Sequence, residues 1–126
     1  YDALAGTHFA VFPSAYEPWG YTPLEAAAMG VPTLTTDLAG FGRFIKPHLV
    51  PQHPGIFVID RYKKGYYDIV DNVYGTLLHF TNLDHAERVQ NKINAKQLSK
   101  LADWKHMVKH YIRAHNLAFE ELPKLN

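Results

Sequence analysis

Two carboxylates, Glu17 and Glu25, stand eight positions apart and enclose Trp19-Gly20-Tyr21-Thr22-Pro23. A carboxylate accepts hydrogen bonds from two neighbouring hydroxyls at once, which suits a sugar or ribose diol. A single sugar nucleotide offers both a hexose and a ribose, so one ligand could span the two acids. Between them, Gly20 lets a ligand approach the backbone closely, and Thr22 adds a hydroxyl. A helix beginning here would offer free N–H groups and partial positive charge to a phosphate. Plainer readings compete. Thr22-x-x-Glu25 has the form of a capping box, in which Glu25 only closes the helix end. Glu17 could be a solvated loop acid, and Trp19 and Tyr21 could be packing residues. Spacing alone leaves these alternatives open.

The flanking segments predict the elements that hold this stretch. Tyr1 to Ala5 read as a last helical turn stopped by Gly6. His8 to Phe12 form an apolar run closed by Pro13, as in a strand buried on both faces. After a loop, Thr22 suits an N-cap, Pro23 the first helical position, and Glu25 the first turn, with Gly30 at C′. Val31 to Thr35 predict a second buried strand. A short helix should follow Gly40-Phe41-Gly42 and run to about Ile45, ended by Pro47. Ile56 to Ile59 predict a third strand. Helices are expected over Tyr67 to Phe80, over Leu83 to Leu101 with Ala86, Val89, Ile93 and Leu101 among its apolar positions, and from an Asp103 N-cap through Ala118. The alternation predicts α/β, a Rossmann-like parallel sheet with flanking helices, and three strands are few enough that more are expected upstream. The acidic pair would then lie beyond the carboxyl end of a strand, where open α/β sheets bind ligands.

Composition excludes several classes. The chain has 126 residues, 47% hydrophobic and 20% charged, which fits one packed domain or part of one. A net charge of +1 argues against nucleic acid or an anionic membrane as an electrostatic partner. No cysteine is present, so there is no disulfide framework and no thiolate zinc site. No apolar run approaches the ~18 residues of a membrane span. The opening Tyr1-Asp2-Ala3-Leu4, without Met, reads as the middle of a longer chain.

Glu17-Pro18-Trp19-Gly20-Tyr21-Thr22-Pro23, followed by Glu25 and Met29-Gly30, resembles the signature of the glycogen synthase family of animals, fungi and some bacteria. Phe12-Pro13-Ser14 precedes it as in the family. Thr35 to Gly42 resembles the family's Thr-Asn-Leu-Ser-Gly-Phe-Gly stretch, with Asp37 and Ala39 departing from it. Ile56 to Arg61 and Leu101-Ala102-Asp103-Trp104-Lys105 also have counterparts, so the resemblance covers nearly the whole chain. The spacing of the two glutamates is shared by many glycosyltransferases; the Pro-Trp-Gly-Tyr-Thr filling is much more specific.

The resemblance implies that residues 1–126 are part of the C-terminal, nucleotide-sugar-binding domain of a GT-B glycosyltransferase, ending in helices over about 83–121. It implies transfer of glucose from UDP-glucose to the non-reducing end of an α-1,4-glucan, with retention, in the cytoplasm, without a cofactor or metal. Glu17 would be the catalytic residue, supporting positive charge on the donor glucose. Glu25 would hold the ribose hydroxyls. Trp19, Gly20, Tyr21 and Thr22 would complete donor binding, with Thr22 and the backbone N–H groups facing the phosphates. The family's Arg and Lys that neutralise departing UDP lie upstream of this segment, as does the N-terminal acceptor-binding domain. The chain alone is therefore expected to be inactive. Alternatives are another GT-B glucosyltransferase, such as one like sucrose synthase, or an isolated nucleotide-sugar-binding module. A glycoside hydrolase using the two glutamates fits poorly, because such pairs flank a cleft at a set separation.

Other residues carry less. His106 and His110 have metal-capable spacing on a predicted helix, but without a His-Glu-x-x-His pattern or nearby carboxylates no metal is expected. Lys92, Lys96 and Lys100, and Lys105, Lys109 and Arg113, read as solvated helical stripes. Animal and fungal relatives carry an arginine-rich helix that binds glucose 6-phosphate at the first stripe. Here it offers Arg88, Lys92, Asn94 and Gln97, and Asn or Gln cannot reproduce bidentate phosphate recognition.

Overall fold

The computed structural model describes residues 2–121. The chain runs α1 (Asp2–Ala5), β1 (Ala10–Val11), α2 (Tyr21–Ala28), β2 (Thr33–Thr36), α3 (Gly40–Ile45), β3 (Ile56–Ile59), α4 (Tyr66–Asn82), α5 (His85–Ser99) and α6 (Trp104–Glu121). The strands form one parallel sheet in the order β1-β2-β3. The register pairs Ala10 with Thr33 and Thr33 with Ile56. The expected α/β class is therefore observed. Tyr1, which the sequence reading places with Asp2 to Ala5 in a last helical turn, lies outside the described residues.

Alternation along β3 divides the core into two layers. Ile56 and Val58 pack with Ala27 of α2, Phe41 and Ile45 of α3, and Ala95 of α5. Phe57 points the other way, toward Phe9 at 5.4 Å and Phe80 of α4 at 6.4 Å between ring centroids. Period-two alternation of this kind puts helices on both faces of a sheet. Every residue of β2 is buried, as expected for its central position. β1 departs from expectation: only Ala10 and Val11 are strand, and Val11 is exposed, on one of the two edges of the sheet formed by the described residues.

The turns follow from local chemistry. α2 ends in a Schellman motif. Gly30 takes φ 78°, its N–H donates to Ala27 O, and Val31 N–H donates to Ala26 O. Asp84 and Glu87 form a capping box at α5, with reciprocal bonds of 2.8 and 2.9 Å. Asp103 Oδ1 accepts from Lys105 N–H at 3.1 Å at the start of α6, as its predicted N-cap role requires.

α5 corrects the sequence reading of its face. Ala86, Val89 and Ile93 are exposed, and the buried stripe is Asn91, Ala95 and Ser99. The cause is close backbone approach. A Cβ on Gly55 would collide with the backbone N of Ala95, so α5 lies directly on the start of β3 and admits only small or hydrogen-bonded residues there. Asn91 fills that role. Its Oδ1 accepts from Gly55 N–H at 3.0 Å, and its Nδ2 donates to Glu87 O at 2.9 Å. The helix also ends earlier than expected, at Ser99, and a 3₁₀ turn over Lys100–Ala102 leads to α6.

Candidate functional site

The loops after β1 and β2 are fastened to each other beyond the sheet. Glu17 N–H donates to Leu38 O at 3.2 Å, Gly40 N–H to Glu17 O at 3.0 Å, and Phe41 N–H to Trp19 O at 2.6 Å. Glu17 and Ala39 thus form an isolated parallel bridge beyond the ends of β1 and β2. Gly40 permits it, since any Cβ there would collide with the Pro18 carbonyl. With the backbone of Glu17 and Trp19 tied to the β2 loop, the chain must turn sharply to enter α2. Gly20 does so at φ 113°, a left-handed value that suits glycine.

This geometry moves the start of α2. Gly20 is the N-cap and Tyr21 the first helical residue, so Thr22 is not the cap and Pro23 is third rather than first. No side chain caps the helix. Glu25 is the fifth residue of α2, just past the first turn, and its carboxylate makes no bond to the Thr22 backbone. The capping box is not formed. Tyr21, Thr22 and Glu25 instead are all exposed, Glu25 standing four residues after Tyr21 and three after Thr22, as neighbours on a helix face do. The first N–H groups of α2 are left without a side-chain acceptor, the condition under which a helix start receives an anion.

Glu17 sits at this helix start. A Cβ built on Gly20 would lie 3.4 Å from Glu17 Oε2, so the carboxylate rests against the N-cap residue. Ser14 Oγ donates to the same oxygen at 3.0 Å. Ser14 is itself held from beneath, because Thr36 Oγ1 donates to Ser14 O at 2.9 Å and accepts from Leu38 N–H at 3.2 Å. Glu17 is half-buried, not a freely solvated loop acid. Trp19 uses its ring for packing, edge-on to Phe41 at 5.9 Å and tilted against Phe44 at 5.5 Å.

Further ties close the carboxyl edge of the sheet. Asp37 Oδ1 accepts from Arg61 N–H at 2.7 Å and Tyr62 N–H at 3.2 Å, and Arg61 Nη1 donates to Pro13 O at 3.0 Å. The ends of all three strands are thereby linked. A cavity of about 690 Å³ opens beside them, lined by Asp37, Leu38, Arg43, Lys46, Pro47 and Tyr62. A smaller cleft of about 310 Å³ lies on the other side, between Trp19, Tyr21 and Leu24 and the α6 residues Trp104, Met107 and Tyr111. Sequence reasoning placed Ser14 in a motif but gave it no role, and it missed Thr36 and Asn91. Their partners lie 22 and 36 positions away, beyond any local pattern.

The other candidates are dispersed. His106 and His110 are exposed on α6. Among the described residues, no three His, Cys, Asp or Glu side chains gather as metal ligands, and no helix is long and apolar enough to cross a membrane. Asn94 is occupied structurally: its Nδ2 donates to His53 O at 2.6 Å and its Oδ1 accepts from Gln90 at 2.9 Å.

Comparison with known proteins is consistent along the chain. Residues 1–124 match the family model described as glycogen synthase. Glycogen [starch] synthase of Neurospora crassa is 41% identical over 118 residues, 93% of this chain and 17% of that protein. The liver glycogen [starch] synthase of Homo sapiens is 38% identical over 117 residues, 92% of this chain and 17% of that protein. Glycogen [starch] synthase isoform 1 of Saccharomyces cerevisiae is 37% identical over 119 residues, again 92% and 17%. The chain thus spans about a sixth of the length of these relatives.

Proposed function

The chain belongs to the glycogen synthase family, and we propose that its Glu17 loop and the start of α2 form the nucleotide-sugar side of a retaining glucosyltransferase site in the whole protein. One observation carries the reading: a half-buried, hydrogen-bonded carboxylate and an uncapped helix start meet at Gly20, at the carboxyl edge of a parallel sheet.

The roles proposed here are those the family resemblance implies, set on that arrangement. The diphosphate of UDP-glucose lies against the N–H groups at the start of α2 with the Thr22 hydroxyl beside it. The glucose lies over Gly20 against Glu17. Breaking the bond to UDP builds positive charge on the sugar, and a fixed carboxylate stabilises that charge without reorganising. Glu17 acts in this sense as an electrostatic support. Glu25, exposed on the same side of α2 as Tyr21 and Thr22, takes the ribose diol. Trp19 serves through its backbone and its packing. The acceptor is the non-reducing end of an α-1,4-glucan. It approaches in the cleft of a GT-B fold, from a second domain that also supplies cations to the leaving diphosphate. The reaction needs no cofactor, and the protein works in the cytoplasm.

Competition binding on the full-length protein tests this reading. UDP-glucose should displace a labelled UDP probe, ADP-glucose should do so at least tenfold less well, and a maltooligosaccharide should not. Displacement of the probe by the maltooligosaccharide, or preference for ADP-glucose, overturns it.

A further inference from the structure

We propose that Ser14 is a positioning residue for the reaction, holding the Glu17 carboxylate in one orientation through a relay that starts at Thr36; this rests on the role given to Glu17 above. The relay has three members. Thr36 is wholly buried at the end of the central strand, so its hydroxyl is the anchored end. It fixes the Ser14 carbonyl at 2.9 Å, and Leu38 N–H in turn fixes the Thr36 hydroxyl at 3.2 Å. Ser14 Oγ then donates to Glu17 Oε2 at 3.0 Å.

The hydrogen bond occupies one carboxylate oxygen and leaves the other for the sugar. A serine hydroxyl has a single proton to donate, and here it goes to Glu17. The backbone of Glu17 is already clamped on both sides by Leu38 and Gly40, so side-chain rotation is the freedom that remains, and Ser14 removes it. A group held within a fraction of an ångström of its working geometry by a second layer of hydrogen bonds is what electrostatic catalysis requires. Ser14 touches neither sugar nor phosphate in this arrangement. Its influence passes through Glu17.

The test is kinetic, on the full-length enzyme. Ser14→Ala should lower kcat about tenfold, with KM for UDP-glucose changed less than twofold, because the ground-state contacts of the nucleotide do not involve Ser14. Ser14→Thr keeps the hydroxyl and should recover most of the loss, whereas a packing role would show no such recovery. In a Glu17→Ala background, Ser14→Ala should have no further effect on kcat. Unchanged kcat in Ser14→Ala, with Glu17→Ala still severely impaired, overturns the positioning role and leaves the site assignment standing. A Ser14→Ala effect of the same size with and without Glu17 also overturns it. Full kcat in Glu17→Ala overturns the assignment of Glu17 itself.

Discussion

The first half of the described chain and the helices α4 and α6 of the second use their side chains in opposite ways. From β1 to Tyr62, the site is made of groups tied to partners far along the sequence: Thr36 to Ser14, Asp37 to Arg61 and Tyr62, Arg61 to Pro13. From α4 onward the helices carry apolar residues that face outward. Tyr67, Tyr74 and Leu78 are exposed on α4, and Trp104, Tyr111, Ile112 and Phe119 on α6, which buries no residue at all. The difference teaches that the carboxyl edge of the sheet is organised by this chain alone, with a carboxylate already oriented. The outer faces of α4 and α6 gain no such definition from the described residues.

The sharpest way to break that comparison is to remove its central group. Glu17→Ala in the full-length enzyme should lower kcat on the order of a hundredfold or more, as expected for a lost preorganised electrostatic group. Parental kcat would move the chemistry to residues outside this chain. Glu25 sharpens the contrast, since it is exposed and unbonded while Glu17 is held. Glu25→Ala should mainly raise KM for UDP-glucose, by roughly 5- to 150-fold for ~1–3 kcal/mol of hydrogen bonding. It should leave the thermal transition in place, because no capping box is formed. A lowered transition with unchanged KM would restore the cap and remove the ribose role.

A smaller effect is expected where the two halves join. Asn91→Ala strips the buried partner from Gly55 N–H and should cost about 1–3 kcal/mol of stability, seen as earlier unfolding with kcat retained. No change in unfolding would show that α5 does not depend on this bond. The smallest effect concerns regulation. With Asn94 bonded to His53 O and Gln97 in place of a guanidinium, initial rates of the full-length enzyme should change little on adding glucose 6-phosphate. Strong activation would contradict this expectation.

Much of the scaffold was legible because its signals are local. Ile56–Ile59 is an unbroken apolar run after Gly55, and it is the strand that was expected. Gly30 stops α2 by the αL geometry that glycine favours. The start of α2 was misread for a physical reason. Thr22-Pro23 is a sound local helix start, but the backbone bonds from Gly40 and Phe41 to Glu17 and Trp19 force the turn onto Gly20 and set the helix going two residues early. The face of α5 was misread for a related reason. Val89 and Ile93 follow the apolar rule, yet the approach of Gly55 to Ala95 makes room only for small side chains and for Asn91. That the two glutamates lie on either side of the start of α2 was legible from their spacing. That one is held and the other is free depends on Ser14 and Thr36, whose pairing no periodicity shows.

The most direct test is a structure of the full-length protein with UDP-glucose bound. The glucose is expected within hydrogen-bonding distance of Glu17, the diphosphate at the N–H groups of Tyr21 and Thr22, and the ribose hydroxyls on Glu25. A donor bound elsewhere, or bound here with its uracil rather than its glucose against Glu17, would contradict this placement.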